Sequence, residues 1–314
     1  MRFGIALPNH RPLGTRDALV EMAQQAEALG YDSIWATDIV VQTRSAEDER
    51  YWYSLEAMTV TSYLAALTKR VRLGISVLVV AQRSPVLVAK EAATLDALSG
   101  GRLVLGVGAG YHELQFRWLG ADFRQRGQRL DEYILAMREL WTASEPRFAG
   151  KYVAFSDLVF SPRPTQPQGP PIVIGGSSLA ALRRVARLAD GWHPVGLTPA
   201  QYAAGMRQIR ELAGGRQVEG SLRIRTVVDR RLEARMGSDN VAQVSLDGSP
   251  ADLIARIEEY RAAGVEHLVV YFETDDLQTT LRDMQRFAAE VGPAFRQPRK
   301  PDDLKSGSTS IPLS

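Results

Sequence analysis

Cysteine is absent from this chain of 314 residues, which excludes disulfides, thiolate metal centres and a cysteine nucleophile. The absence fits a reducing compartment, so a cytoplasmic location is expected. No apolar run approaches the length of a membrane-spanning helix. The apolar start Met1–Pro8 is too short for a secretory signal and reads as a strand. An excess of either charge is also missing, since 38 Lys and Arg face 36 Asp and Glu. A net charge of +2 is not the basic surplus that nucleic-acid binding requires. The expected partner is therefore a small-molecule substrate, with neither nucleic acid nor membrane.

What the chain does have is a repeat of strand and helix. Phe3–Pro8 reads as a strand and Arg16–Leu29 as a helix with Leu19, Met22, Ala23 and Ala26 on one stripe, closed by Gly30. Strands are then expected at Ser33–Asp38, Arg72–Val80, Arg102–Gly110, Ile172–Ile174, Gly191–Val195, Leu222–Val228 and His267–Glu273. The matching helices are Leu55–Thr68, Pro85–Leu98, Arg126–Thr142, Leu179–Ala189, Pro199–Ala213, Pro250–Ala263 and Leu277–Val291. Two inserts interrupt the alternation. Ile39–Tyr53 follows the second strand, and Ala143–Pro170 follows the fourth, with an expected hairpin of Tyr152–Phe155 against Leu158–Phe160. Eight alternations favour an α/β fold of the (β/α)₈ TIM-barrel type over an open sheet. Residues 1–295 read as one barrel domain and 296–314 as a disordered tail.

One strand end carries a chemical signal. Pro171–Ser178 reads Pro-Ile-Val-Ile-Gly-Gly-Ser-Ser and runs straight into a helix. A glycine turn at a helix start presents free N–H groups and the positive end of the helix dipole, which suits a phosphate. The plain alternative is a β-to-α turn that needs Gly and an N-cap Ser. Gly175, Gly176, Ser177 and Ser178 are the candidate contacts. In a TIM barrel the chemistry sits at the C-terminal strand ends. Those ends hold Asn9-His10, Asp38, Ser76–Val79, Gly108–Glu113 and His193, while His267 opens the last strand at the opposite end.

Several of these segments match a known family. Leu73-Gly-Ile-Ser-Val77, Ala89 to Arg102, Leu105-Gly-Val-Gly-Ala-Gly110, Arg126 to Tyr133, Val173-Ile-Gly-Gly-Ser177 and Ala189-Asp-Gly-Trp-His-Pro194 together resemble the bacterial luciferase-like monooxygenase family, most of all its deazaflavin-dependent branch. The similarity runs from Met1 to about Val291. It implies a TIM barrel, a homodimer, and coenzyme F420 (an 8-hydroxy-5-deazaflavin) or alternatively FMN at the C-terminal face. It also implies cofactor contacts at Asp38, Ser76, Val77, Gly108, Ala109, Gly110, Tyr111, Gly175, Gly176 and Ser177, and a cis peptide between Ser76 and Val77.

The chain departs from the alcohol and sugar-phosphate dehydrogenases of that branch at two positions. Ile39 stands where they place a histidine, and Tyr111 where they place a glutamate. Deprotonating a hydroxyl needs a poised base, so a reductase is expected instead, with Tyr111 or His112 as proton donor. Substrate contacts are expected at His10, Ile39, Trp52 and His193. Each has a structural alternative: Asp38 as a strand-end cap, Tyr111 as pocket lining, His193 as a satisfied core histidine, and Tyr51–Tyr53 as loop packing. Glu56 reads as a helix-start carboxylate, and Arg126 and Arg129 as a solvated helix face. Two other classes stay open. His10, His112 and His193 on one face would serve a metal-dependent barrel hydrolase, although no close ligand pair marks them. A non-catalytic cofactor-binding protein is the other.

Overall fold

Helix starts in this chain are set by local chemistry. Thr15, Ser84, Ser178, Thr198, Ser249 and Asp276 each accept a hydrogen bond from an N–H in the first turn of the helix that follows, which satisfies one of the orphan donors there. Thr198 and Ser249 add full capping boxes with Gln201 and Asp252. Gly100 ends its helix in the left-handed region, with φ +69°.

A computed structural model of the chain describes residues 1–43, 49–233, 235–236 and 242–295. The 296–314 tail and the centre of the first insert lie outside the described residues. Barrel strands are β1 (Arg2–Ala6), β2 (Ser33–Ala36), β3 (Arg72–Ile75), β4 (Leu103–Val107), β5 (Ile172–Ile174), β6 (Gly191–Trp192), β7 (Glu219–Thr226) and β8 (His267–Phe272). They pair in parallel in sequence order, and β8 with β1 and β6 with β7 close the ring. The helices are α1 (Arg16–Ala28), α2 (Ala57–Leu67), α3 (Pro85–Ser99), the short α4 (Glu113–Trp118), α5 (Arg126–Thr142), α6 (Leu179–Leu188), α7 (Pro199–Leu212), α8 (Pro250–Ala262) and α9 (Leu277–Arg286). The expected TIM barrel is what forms.

Two shells of side chains hold it. Phe3, Ile5, Leu73, Leu105, Leu222, Ile224, Leu268 and Val270 point outward into a large core shared with the helices. Ala6, Trp35, Val104, Val173, Val269 and Tyr271 fill the inside. The interior accepts an indole because its neighbour gives up a side chain. A Cβ on Gly74 would lie 2.1 Å from Trp35 Cδ2.

Motif residues also brace the frame. Arg102 spreads its donors over Ala65 O, Thr68 O, Thr68 Oγ1, Val71 O and Ser99 O, tying α2, α3 and the entry to β3. Glu27 accepts the N–H groups of Lys69, Arg70 and Val71.

The inserts differ from expectation in two ways. The hairpin pairs Phe148–Ala149 with Ala154–Phe155, and Leu158–Phe160 lies beyond it. Glu132 on α5 accepts from Lys151, Tyr152 and Val153, and that grip places the turn at Gly150–Val153. A third insert after β7, unforeseen, carries a short ladder of Arg235–Met236 with Ala242–Gln243 and a strand, Ser245–Leu246, parallel to β7. Its polar composition hides it from periodicity. No described helix is long and apolar enough to cross a membrane.

Candidate active site at the barrel mouth

On β3 to β5 the mouth is rich in glycine, with Gly108, Gly110, Gly175 and Gly176. The Ser76–Val77 peptide is cis. Val77 fills the space that Cβ atoms on Gly108 and Gly175 would need, at 2.7 and 3.2 Å from its methyls. Beside them, Gly110 has φ +79°, and its carbonyl accepts from Arg126 Nε at 3.1 Å. Arg126 is thus a clamp on this loop and also lies over the Phe123 ring. Arg129 is turned to Tyr133 and Tyr152. After β5 the chain turns through Gly176 at φ +91° into α6. The first-turn N–H groups of any helix lack intrahelical acceptors, and here Ser178 Oγ takes only that of Ala181, at 3.3 Å. Gly176, Ser178, Leu179 and Ala180 are exposed. This is an anion-ready helix start, with Ser178 serving first as its cap.

Directly below lies His193, which the sequence reading placed against the substrate. The structure corrects this, because the ring is wholly buried. It stacks on Trp35 with centroids 4.6 Å apart and planes 10° apart. Ser221 Oγ donates to Trp192 O at 2.9 Å, so it must accept from His193 Nδ1 at 2.8 Å. His193 Nε2 is then the acceptor for the Ser76 hydroxyl at 2.9 Å. Desolvation, reinforced by the Arg223 cation, pushes its pKa down to about 3. The ring is a neutral pillar under Ser76.

Asp38 is corrected in the same sense. Its side chain is 1% exposed and pairs with Arg83 through both oxygens, at 2.7 and 2.9 Å, while accepting from Val79 N at 3.0 Å. The carboxylate faces protein and positions the segment after the cis peptide. Glu56 caps α2 through Met58 and Thr59, as the sequence suggested. A cavity of about 700 Å³ opens beside this pair, between α2 and α3, lined by Val40, Arg83, Leu87, Leu98 and Leu119. The glycine wall takes no part in it.

Across the mouth the surface is built of large polar side chains. His10 is 3% exposed, so direct substrate contact there is also corrected. Its ring lies 4.6 Å from that of Tyr51, and Nε2 is 3.4 Å from the Tyr271 hydroxyl. Asn9 pins the adjoining loops through Thr37 and Leu55. Ile39 is half-buried at the rim, and Trp52 is exposed. Tyr111 is largely exposed and tilts towards His112, with centroids 6.4 Å apart. His112 sits at the N-cap of α4 without capping it. Its Nδ1 is a buried nitrogen with no hydrogen-bond partner among the described residues. The three histidines are not brought together, and no cluster of three possible metal ligands occurs among the described residues.

Sequence reasoning missed Arg83, Tyr271 and Arg223. Arg223 Nη1 donates to Thr37 Oγ1 at 2.9 Å and to Ser76 O at 3.2 Å. The available signal was the period-two pattern of β7. With Leu222 and Ile224 outward, Ser221, Arg223 and Arg225 must face the barrel axis.

Residues 1–235 match the sequence profile described as luciferase-like monooxygenase. An uncharacterised protein of Mycobacterium tuberculosis is 32% identical, covering 87% of this chain and 93% of that one. The F420-dependent glucose-6-phosphate dehydrogenase of Amycolatopsis mediterranei is 29% identical over 90% and 95%. The FMNH2-dependent dimethylsulfone monooxygenase of Pseudomonas putida is 30% identical over 62% and 52%. In fold, the crystal structure of a monooxygenase from Streptomyces bottropensis superposes with a TM-score of 0.79 at 21% identity, covering 94% of this chain and all of that one. Relatives thus include F420- and FMN-dependent enzymes, the barrel agrees with the solved structure in fold, and the profile match over most of the sequence shows that the chain belongs to the luciferase-like monooxygenase family.

Proposed function

We propose that this protein is an F420-dependent reductase that acts on a small organic acceptor, as a homodimer. The residues present suit a phosphate-bearing, flat cofactor. The exposed start of α6 offers N–H donors beside Gly176, Gly108 and Gly110 add no side chain of their own to the mouth, and His112 Nδ1 is a buried polar atom without a partner among the described residues. When bound, the reduced deazaflavin would supply a hydride.

The observation that carries the direction of reaction is that, among the described residues, the mouth's Asp38, Glu273, His10 and His193 are each paired or buried, which leaves His112 as the histidine with an open ring nitrogen. Asp38 is paired with Arg83 and Glu273 with Arg225, and Ile39 holds the position of the family's histidine. Alcohol oxidation requires a poised base, worth typically ~10²–10⁴-fold. Reduction requires only a proton at the end. A phenol is a poor base at neutral pH but a serviceable donor, so Tyr111 at the rim suits that task, with His112 beside it.

The test is a side-by-side screen. Reduced F420 is offered with activated alkenes and imines, oxidised F420 with alcohols, and FMN binding is titrated in parallel. Turnover of an acceptor with reduced F420 is expected. Robust oxidation of a simple alcohol without any acceptor reduction would refute the direction, and tighter binding of FMN than of F420 would refute the cofactor. Sedimentation of the purified chain tests the dimer.

A further inference from the structure

Arg223 is placed where a structural arginine has little reason to be. It projects from the middle of β7 into the barrel mouth, between Thr37, the Ser76 carbonyl and the Tyr271 ring, whose centroid is 5.3 Å from Cζ. Burial lowers the pKa of its guanidinium, while the nearby phenols of Tyr51 and Tyr271 act in the opposite sense. A half-buried cation is normally paired with a carboxylate, because taking an unpaired charge out of water is costly. Arg223 forms no ion pair with a described carboxylate. Glu273, just beyond the neighbouring strand β8, is held by Arg225.

The pattern of its donors is as informative as its charge. Both protein acceptors are taken by Nη1. The Nε–Nη2 edge, the edge that matches two carboxylate oxygens, has no acceptor in the described protein. Neither nitrogen is among the buried polar atoms left without a partner, and the residue is partly exposed. The edge therefore opens to the mouth. Aromatic rings flank it: Tyr271 lies beneath, and Tyr51 covers His10 alongside.

We propose that the Nε–Nη2 edge of Arg223 is a carboxylate anchor, and that the substrate of the reductase is a planar organic acid whose conjugated or aromatic part lies along Tyr51. This deepens the function proposed above, since it names the chemical class of the acceptor. The binding residue itself can be tested without any cofactor.

The experiment is calorimetric titration of the full-length protein with benzoate and, separately, with benzamide. Benzamide keeps the shape and removes the charge and the second acceptor. Wild type is expected to bind benzoate more tightly than benzamide, by about 10- to 100-fold, the range of a charge-assisted bidentate contact. In Arg223→Lys, which keeps the charge but not the fork, that preference should fall at least about threefold. In Arg223→Gln it should vanish. Arg225→Met, which removes a guanidinium already paired with Glu273, should retain it. Thermal unfolding reports whether Arg223→Gln folds; where it does not, the lysine variant decides. Equal binding of benzoate and benzamide by wild type, or an unchanged preference in Arg223→Lys, would overturn the anchor. So would a loss of F420 affinity in Arg223→Lys with benzoate binding unaltered, because the fork would then serve the cofactor. Failure of the reductase reading looks different: benzoate preference would persist while no acceptor is reduced.

Discussion

The two halves of the barrel mouth are built on opposite principles. Over β3, β4 and β5 the wall is rich in glycine: Gly108 and Gly175 pack on Val77, Gly110 on Val79 and Phe116, and Gly176 beside Ala181. Over β7, β8 and β1 it is made of Arg223, Tyr271 and His10, locked by hydrogen bonds and ring contacts. A glycine-rich wall lets a broad ring and its phosphate come close and offers N–H groups that cost little to orient. A wall of interlocked side chains has fixed shape and charge, which suits discrimination between small molecules. On the function proposed above, a general cofactor surface and a specific substrate surface would face each other in one barrel.

The comparison can be broken first on the base. Ile39→His with Tyr111→Glu should restore the missing acid–base pair and raise alcohol oxidation by ~10²-fold or more. Steady-state rates with oxidised F420 and a panel of alcohols check it; no gain in a folded double variant would show that Ile39 and Tyr111 do not set the direction.

Next in size is the glycine wall. Gly176→Val places a β-branched residue at φ +91° beside the start of α6. Cofactor affinity should fall by about 100-fold, while stability falls by about 1–3 kcal/mol from the backbone conformation. Fluorescence titration and urea unfolding read the two effects separately. Lost stability with unchanged affinity would sink the assignment of that turn to the phosphate.

The layer below both halves gives a smaller effect. His193→Leu leaves the Ser76 and Ser221 hydroxyls without their buried partner, at a cost of about 2–4 kcal/mol in stability. Denaturant unfolding measures it. A shift under about 0.5 kcal/mol would mean that the pillar is dispensable.

The same residue makes stability depend on pH. Unfolded His193 titrates near its ordinary 6.5, and the folded ring near 3. Between those values the unfolded chain binds a proton that the folded chain does not, so stability falls as pH drops through the window. Burial shifts His267 in the same direction. Each residue adds up to about 1.4 kcal/mol per pH unit at the steepest. Urea unfolding between pH 7.5 and 4.5 should show a shallower slope in His193→Gln than in wild type; identical slopes would exclude a buried neutral imidazole.

Much of the barrel was legible because its signals are local. The stripe of Leu19, Met22, Ala23 and Ala26, the caps Ser84, Thr198 and Ser249, and the glycine turn before Ser178 are all written within a few residues of the element they start or stop. The hairpin register was not legible, since it rests on Glu132 of a helix about 20 residues earlier. The insert after β7 escaped because short polar ladders have no periodic signature.

For the site the division is sharper. Residue identity alone determined what chemistry is missing: no thiol anywhere, no histidine at position 39 and no carboxylate at 111. It also placed a glycine turn and a helix cap at Gly175–Ser178, because a strand, two glycines and a hydroxyl bring their own backbone geometry. Only the tertiary structure decided which polar groups are available. Asp38 is spent on Arg83, 45 residues away, His193 on Ser76, 117 residues away, and Glu273 on Arg225. Arg223 alone among these keeps one edge of its fork open. A side chain's type is local, but its protonation, exposure and unsatisfied donors depend on neighbours that closure of the barrel brings together from distant strands.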